Sequence, residues 1–215
     1  REALIPTNYD KNPIGLTKAL DWNRSFKTEW EVHCINIANK IAAQGHLKAK
    51  EGLLAGKTEF EIYLDYMRAT NSTSDALPYN AIIGLDEHAA TLHYEQKRQD
   101  GKGTTLLIDA GASYYGYPSD ITRTFLTENR RASLYGKTIT DRAYGVFKKL
   151  IVGLDKIHHE IVSEIKIGMS YVDLHKLSCL KIFDLLNAEG VVISCPDEQR
   201  WQLAAVRPFF PHGLG

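Results

Sequence analysis

The chain has 215 residues, of which 44% are apolar and 24% charged, the balance of a folded chain with a core of useful size. Its 26 Lys and Arg cancel its 26 Asp and Glu, so net charge offers nothing to draw it to nucleic acid or an anionic membrane. No apolar stretch reaches the roughly 18 residues of a membrane span, and the opening REALIPTNYD lacks the apolar core of an export signal.

Residues 1–26, with Pro6, Pro13, Gly15 and no clear period, read as a lead-in or linker. Thr28 and Glu31 then form a capping box. Trp30, Cys34, Ile37 and Ile41 repeat at helical spacing, so a helix runs to about Leu54, with Gly56 as its stop. Thr58 and Glu61 make a second box, opening a short helix with Phe60, Tyr63, Leu64 and Met67 on its apolar face and fading near Asn71. Residues 72–127 change character. Ala81-Ile-Ile-Gly-Leu, Thr91-Leu-His-Tyr, Thr104-Thr-Leu-Leu-Ile-Asp and Ile121-Thr-Arg-Thr-Phe-Leu are β-rich and separated by turn residues, which predicts an antiparallel sheet built from hairpins. A long helix is expected over about 138–165 and another from Ser170 to about Glu189, followed by a short strand at Val191-Val-Ile-Ser. Helices and strands come in blocks without βαβ alternation, so the fold class is α+β.

Cys34, Cys179 and Cys195 are too few and too scattered for a disulfide framework or a close-spaced zinc site, and they read as reduced thiols of a cytoplasmic protein. The chain starts at Arg1 rather than Met and stops just after the apolar Pro208-Phe209-Phe210, so both ends read as cuts in a longer protein.

The strongest chemical feature is Leu106-Leu-Ile-Asp-Ala-Gly-Ala-Ser-Tyr-Tyr-Gly-Tyr-Pro-Ser-Asp-Ile-Thr-Arg-Thr-Phe. Asp109 ends one strand and Asp120 opens the next. The two are symmetric about Tyr114–Tyr115, and a hairpin closing there sets them face to face, with Cβ atoms about 5 Å apart. Two carboxylates that close repel each other unless one is protonated or a cation sits between them. A divalent ion such as manganese or magnesium, which prefers hard oxygen ligands, meets that demand. The plainer reading is a hairpin closing one residue differently, with one Asp simply facing water. His93 lies in a predicted strand, and a lone strand histidine is more often structural than catalytic. His88, five positions away, would point to the opposite face of a regular strand. His212, among glycines, sits where backbone could approach a ligand closely. His33, His46, His158, His159 and His175 fall on predicted helices, as solvated or partly packed side chains. Nucleophile-elbow, His-Glu-x-x-His, Walker and dinucleotide motifs are missing from the sequence.

The segment LLIDAGASYYGYPSDITRTF, preceded by LPYNAIIGLDEHAATLHY and followed by FFPHGLG, resembles the prolidases. These are Xaa-Pro dipeptidases of the pita-bread metallopeptidase superfamily, and within it the bacterial dipeptidases that include organophosphorus acid anhydrolases look most similar. The likeness extends over about residues 25–215. It implies a pita-bread fold, incomplete at the C-terminal side, with 1–26 a lead-in from an N-terminal domain and 27–215 the first part of the catalytic domain.

The resemblance further implies two divalent metal ions, commonly manganese, held by two Asp, one His and two Glu. Asp109 and Asp120 match the two aspartates, Asp120 as the bridging ligand. The metal-binding histidine would follow Gly215, and both glutamates would lie further on. His93 matches a catalytic histidine that steadies the tetrahedral intermediate. Leu92 matches an apolar wall beside it, Tyr79 a tyrosine bordering the substrate, and His212 a pocket residue. The implied reaction is hydrolysis of Xaa-Pro dipeptides by a hydroxide bridging two metals, with organophosphate hydrolysis as a further activity of the same geometry. The implied assembly is a homo-oligomer, a dimer. An X-Pro or methionine aminopeptidase and a metal-free pita-bread binding module are the alternatives. The 215 residues by themselves are expected to be inactive or nearly so, because three ligands are lacking, and doubtful as an independent fold, because sheet edge and apolar surface would be exposed.

Overall fold

The structure, a computed structural model, describes residues 11–129, 136, 138–192 and 199–210. The predicted lead-in contains a helix, α1 (Ile14–Ser25), opened by Pro13 at φ −58° and built of residues such as Leu16, Ala19 and Leu20 that favour helix. None of its residues is buried, which is why it shows no core-facing period in sequence.

Helix α2 (Glu29–Ala55) begins with the expected Thr28–Glu31 box and stops at Gly56 in the left-handed conformation, φ 73°. Its buried stripe shares Cys34 with the predicted one, while Ile37 and Ile41 are half-buried. Cys34, Ala38, Ala42, Gly45, Ala49 and Leu53 face inward, whereas Trp30 is exposed. Small residues, not the large apolar ones, mark the face where another helix comes close. Helix α3 (Glu59–Thr70), capped by Thr58 and Glu61, lies against that stripe. Its inward residues are Glu59, Ile62, Tyr66 and Thr70, one helical position away from the predicted face, which is only half-buried.

Strands β1 (Ile82–Leu85), β2 (Thr105–Asp109) and β5 (Thr122–Leu126) form an antiparallel sheet with β2 central. Ile83, Leu85, Leu106, Ile108 and Ala110 meet Ala49, Leu53, Ile62 and Tyr66 to make the main core. Alternation along β2 therefore sends Asp109 to the face away from the helices. A two-stranded ribbon, β3 (Ser113–Tyr114) and β4 (Tyr117–Pro118), continues the β2–β5 hairpin. The predicted strand at 91–94 is absent. Short 3-10 helices occupy Ser74–Ala76 and Asp86–Ala90, and a turn follows the second. Asp86, at φ 47°, diverts the chain there, and its carboxylate accepts from the Thr104 and Thr105 amides at 2.9 and 2.8 Å.

Helices α4 (Asp141–Glu164) and α5 (Tyr171–Ala188) follow, capped by Thr140 and by Ser170, the latter at the predicted start. A further helix, α6 (Gln199–Val206), not foreseen from sequence, packs on α5 through Val206 against Cys179 and Phe183. Val191 and Val192 lie in a bend rather than the expected strand, whose remaining residues 193–194 fall outside the described ones, as does Cys195. Among the described residues no helix is long and apolar enough to cross a membrane. Helices and strands segregate, as an α+β chain requires.

Candidate active site

The hairpin between the two acidic residues turns on Tyr115 and Gly116, whose φ values are 49° and 81°. Both central residues are left-handed, the pattern of a two-residue hairpin turn whose twist suits the flanking strands. The tip leans on the start of α2: the Tyr117 hydroxyl donates to Glu31 Oε1 at 3.1 Å, and the Tyr115 and Trp30 rings meet at 5.8 Å.

The predicted closure point is one residue too early. With Tyr114 paired to Tyr117 and Asp109 to Thr122, the register places Gly111, not Asp109, opposite Asp120. The two carboxylates are thus diagonal neighbours rather than a directly opposed pair. A shift of the turn by one residue moves the register by two, which preserves facing, so both still belong to the same side of the ribbon. Diagonal side chains on one face remain within reach of a shared partner.

Tyr79 is that partner. Its hydroxyl donates to Asp120 Oδ1 at 2.8 Å. Burial first, then both carboxylates, raise its pKa far above the ordinary phenol value, so it stays a neutral donor. One hydroxyl has one proton, and here it goes to Asp120. Asp109 Oδ1 is left buried with no hydrogen-bond partner. An orphaned, buried carboxylate oxygen on the sheet face that carries a second carboxylate suits a divalent cation, which takes hard oxygen donors. Among the described residues no cluster of three or more His, Cys, Asp or Glu is assembled for an ion.

Leu92 and His93 sit on the turn after the 3-10 helix, both exposed, with Leu92 at 57%. His212 lies outside the described residues. What fixes the turn is a residue that sequence reasoning passed over. Glu59, 1% exposed, accepts from the Leu85 and Arg98 amides at 2.9 and 3.0 Å, and from His88 Nδ1 and the Tyr94 hydroxyl at 2.7 Å each. His88 also stacks on Tyr94, their ring centroids 4.6 Å apart. A Glu at the first turn of a helix reads as ordinary dipole compensation. Only its place on the inward helical face, in step with Ile62 and Tyr66, could have singled it out.

With this geometry in place, comparison with known proteins is direct. The model of metallopeptidase family M24 matches residues 33–215. The chain is 39% identical over 208 residues to a Xaa-Pro dipeptidase of Marinobacter nauticus, covering 96% of this chain and 45% of the relative. It is 38% identical over 208 residues to a Xaa-Pro dipeptidase of Shewanella woodyi, covering 95% of this chain and 44% of the relative. The chain thus spans less than half the length of these curated relatives. Among solved structures, zinc-substituted Escherichia coli aminopeptidase P in complex with product matches with TM-score 0.70 and 26% identity, over 88% of this chain and 40% of that one. The same enzyme with the inhibitor Pro-Leu matches with TM-score 0.72. The helices, the antiparallel sheet and the acidic hairpin are therefore those of a pita-bread fold, and the chain belongs to metallopeptidase family M24.

Proposed function

We propose that the whole protein hydrolyses Xaa-Pro dipeptides with two divalent cations, manganese foremost, and that residues 27–215 form the first part of its catalytic domain. The observation that carries this reading is the orphaned Asp109 Oδ1 on the same face as Asp120, whose carboxylate the Tyr79 hydroxyl holds. Asp109 and Asp120 would hold the ions. When bound, such ions lower the pKa of water and stabilise negative charge developing on the scissile carbonyl. Tyr79 keeps the Asp120 carboxylate oriented and borders the substrate. His93, presented on the turn that Glu59 anchors, would donate to the carbonyl oxygen as charge develops, with Leu92 as an apolar wall and His212 at the pocket rim. Curated relatives at 39% and 38% identity are named Xaa-Pro dipeptidases, which favours dipeptides as substrates. The same arrangement of charge suits attack at a tetrahedral phosphorus, so organophosphate triesters are a second substrate class to assay. Free, buried Cys34 and Cys179 support a reducing, cytoplasmic setting.

The test is manganese titration and turnover of Gly-Pro and Ala-Pro by the whole protein and its Asp109→Asn and Asp120→Asn variants. Each variant should lose more than about 100-fold in manganese affinity, exceeding the loss typical of an outer partner, and should lose turnover with it. Unchanged affinity in both variants would overturn the assignment. The solved neighbours are aminopeptidase P, which makes longer X-Pro peptides the competing substrates. Faster cleavage of those than of dipeptides would move the protein to the aminopeptidase reading.

A further inference from the structure

Between the two acidic residues the hairpin ladder is opened in a specific way. In a regular hydrogen-bonded antiparallel pair, both residues exchange N–H···O bonds. Here the Ala110 amide donates to the Ile121 carbonyl at 3.1 Å, but the return bond is not made. The Ile121 amide turns instead to the Tyr79 hydroxyl at 3.4 Å, and the Ala110 carbonyl is taken by His46 Nε2 at 3.0 Å. The next carbonyl, that of Gly111, accepts from the Tyr66 hydroxyl at 3.0 Å. His46 comes from α2 and Tyr66 from α3, their rings meet edge to face at 5.8 Å, and both side chains are buried, at 5% and 0% exposure. Helical histidines far from any motif read as solvated or partly packed, and His46 departs from that expectation.

The chemistry of the partners fixes the roles. A carbonyl oxygen only accepts, so His46 carries its proton on Nε2. Its Nδ1 is then a bare acceptor, and it is buried without a partner. An apolar residue would fill the same space without orphaning a nitrogen, so the imidazole is present for its Nε2 donor.

We infer that His46 and Tyr66 are positioning residues for the acidic pair: their two hydrogen bonds hold the Ala110–Gly111 backbone off the regular ladder and so set Asp109 against Asp120 for cation binding. This rests on the proposed metal role of those aspartates. Gly111 fits the same device, since a Cβ there would lie 1.9 Å from the Ser119 carbonyl oxygen, and the two backbones close up beside the opened pair.

The test measures manganese affinity of the whole protein by the loss of the free-ion electron paramagnetic resonance signal, alongside thermal unfolding of the metal-free protein. Tyr66→Phe removes one oxygen and keeps the ring. His46→Phe removes the donor, and His46→Gln restores an amide N–H near the Nε2 position. Tyr66→Phe and His46→Phe should each weaken manganese binding about 10-fold or more, as outer partners of metal ligands do, while His46→Gln should recover most of it. If His46→Phe does not fold, Tyr66→Phe and His46→Gln decide the matter. Lower thermal midpoints with unchanged affinity would overturn the positioning role. Asp120→Asn separates the two readings. Weakened binding in it but not in the His46 and Tyr66 variants overturns the positioning role alone, and unchanged binding in it as well overturns the metal reading and this inference together.

Discussion

Glu59 holds four donors from one buried carboxylate, and removing it would strand the Leu85 amide and the Tyr94 hydroxyl in the interior and unpair His88 and the Arg98 amide. Glu59→Ala should cost about 3–5 kcal/mol, the range for breaking a buried charged partnership by deleting one side, while Glu59→Gln, which keeps one acceptor oxygen, should cost about 1–3 kcal/mol. Urea unfolding of the variants checks both. Gly111 makes the second prediction at this scale. The backbone oxygen of Ser119 lies 1.9 Å from where a Cβ would stand. Backbone cannot swing aside as a side chain can, so Gly111→Ala should cost about 3 kcal/mol, the upper end of ordinary overpacking, and should weaken manganese binding as the hairpin respaces. The identities of Asp109, Asp120 and Tyr79 were legible from the motif and its resemblance. His46, Tyr66 and Glu59 were not, because each acts on the backbone of a segment distant in sequence: His46 on Ala110, Tyr66 on Gly111 and Glu59 on Leu85 and Arg98.

Among the elements, helix ends were read well and helix faces poorly. The capping boxes at Thr28 and Thr58 and the stop at Gly56 are local chemistry, decided within one turn of chain. Which face turns inward is decided by the neighbour. On α2 the glycines Gly45 and Gly52 admit α3, and the large apolar side chain of Trp30 that drew attention in sequence is left exposed. Gly45→Ala tests this. Alanine would favour the helix by about 1 kcal/mol. Its Cβ, however, would stand 2.4 Å from the Tyr66 ring and 2.8 Å from Thr70 Cγ2, both buried with little room to yield. Overpacking of that kind costs about 1–3 kcal/mol, so a net loss is expected, read as a lower thermal midpoint together with weaker manganese binding through the displaced Tyr66. The hairpin shows the same division. Its existence and its ends follow from the turn residues, but the turn centre fell one residue later than symmetry suggested. Tyr115 tolerates the left-handed conformation where Trp30 and Tyr114 pack against its ring.

For the whole molecule, the buried imidazole couples folding to pH. Burial is the largest influence on His46 and lowers its pKa, the bond to the Ala110 carbonyl works against that, Arg123 lowers it further and Asp109 raises it. In the unfolded chain His46 takes up a proton below its ordinary pKa of about 6.5, while the folded protein keeps it neutral to lower pH. The unfolded state then binds more protons, and stability falls as pH drops through that window. Urea midpoints measured from pH 7.5 down to 5 should decline, and the decline should be shallower in His46→Gln, which has no proton to gain. The amino-acid sequence by itself determined the α+β class, the principal helices, the acidic hairpin and the family, because capping, turn chemistry and motif spacing are local and survive without knowledge of neighbours. Tertiary structure alone decided the register that makes Asp109 and Asp120 diagonal, the replacement of a strand by a turn at His93, and the hold of α2 and α3 on the hairpin backbone. These depend on which buried donors and acceptors find one another across the core, and no single stretch of chain contains both halves of such a pair.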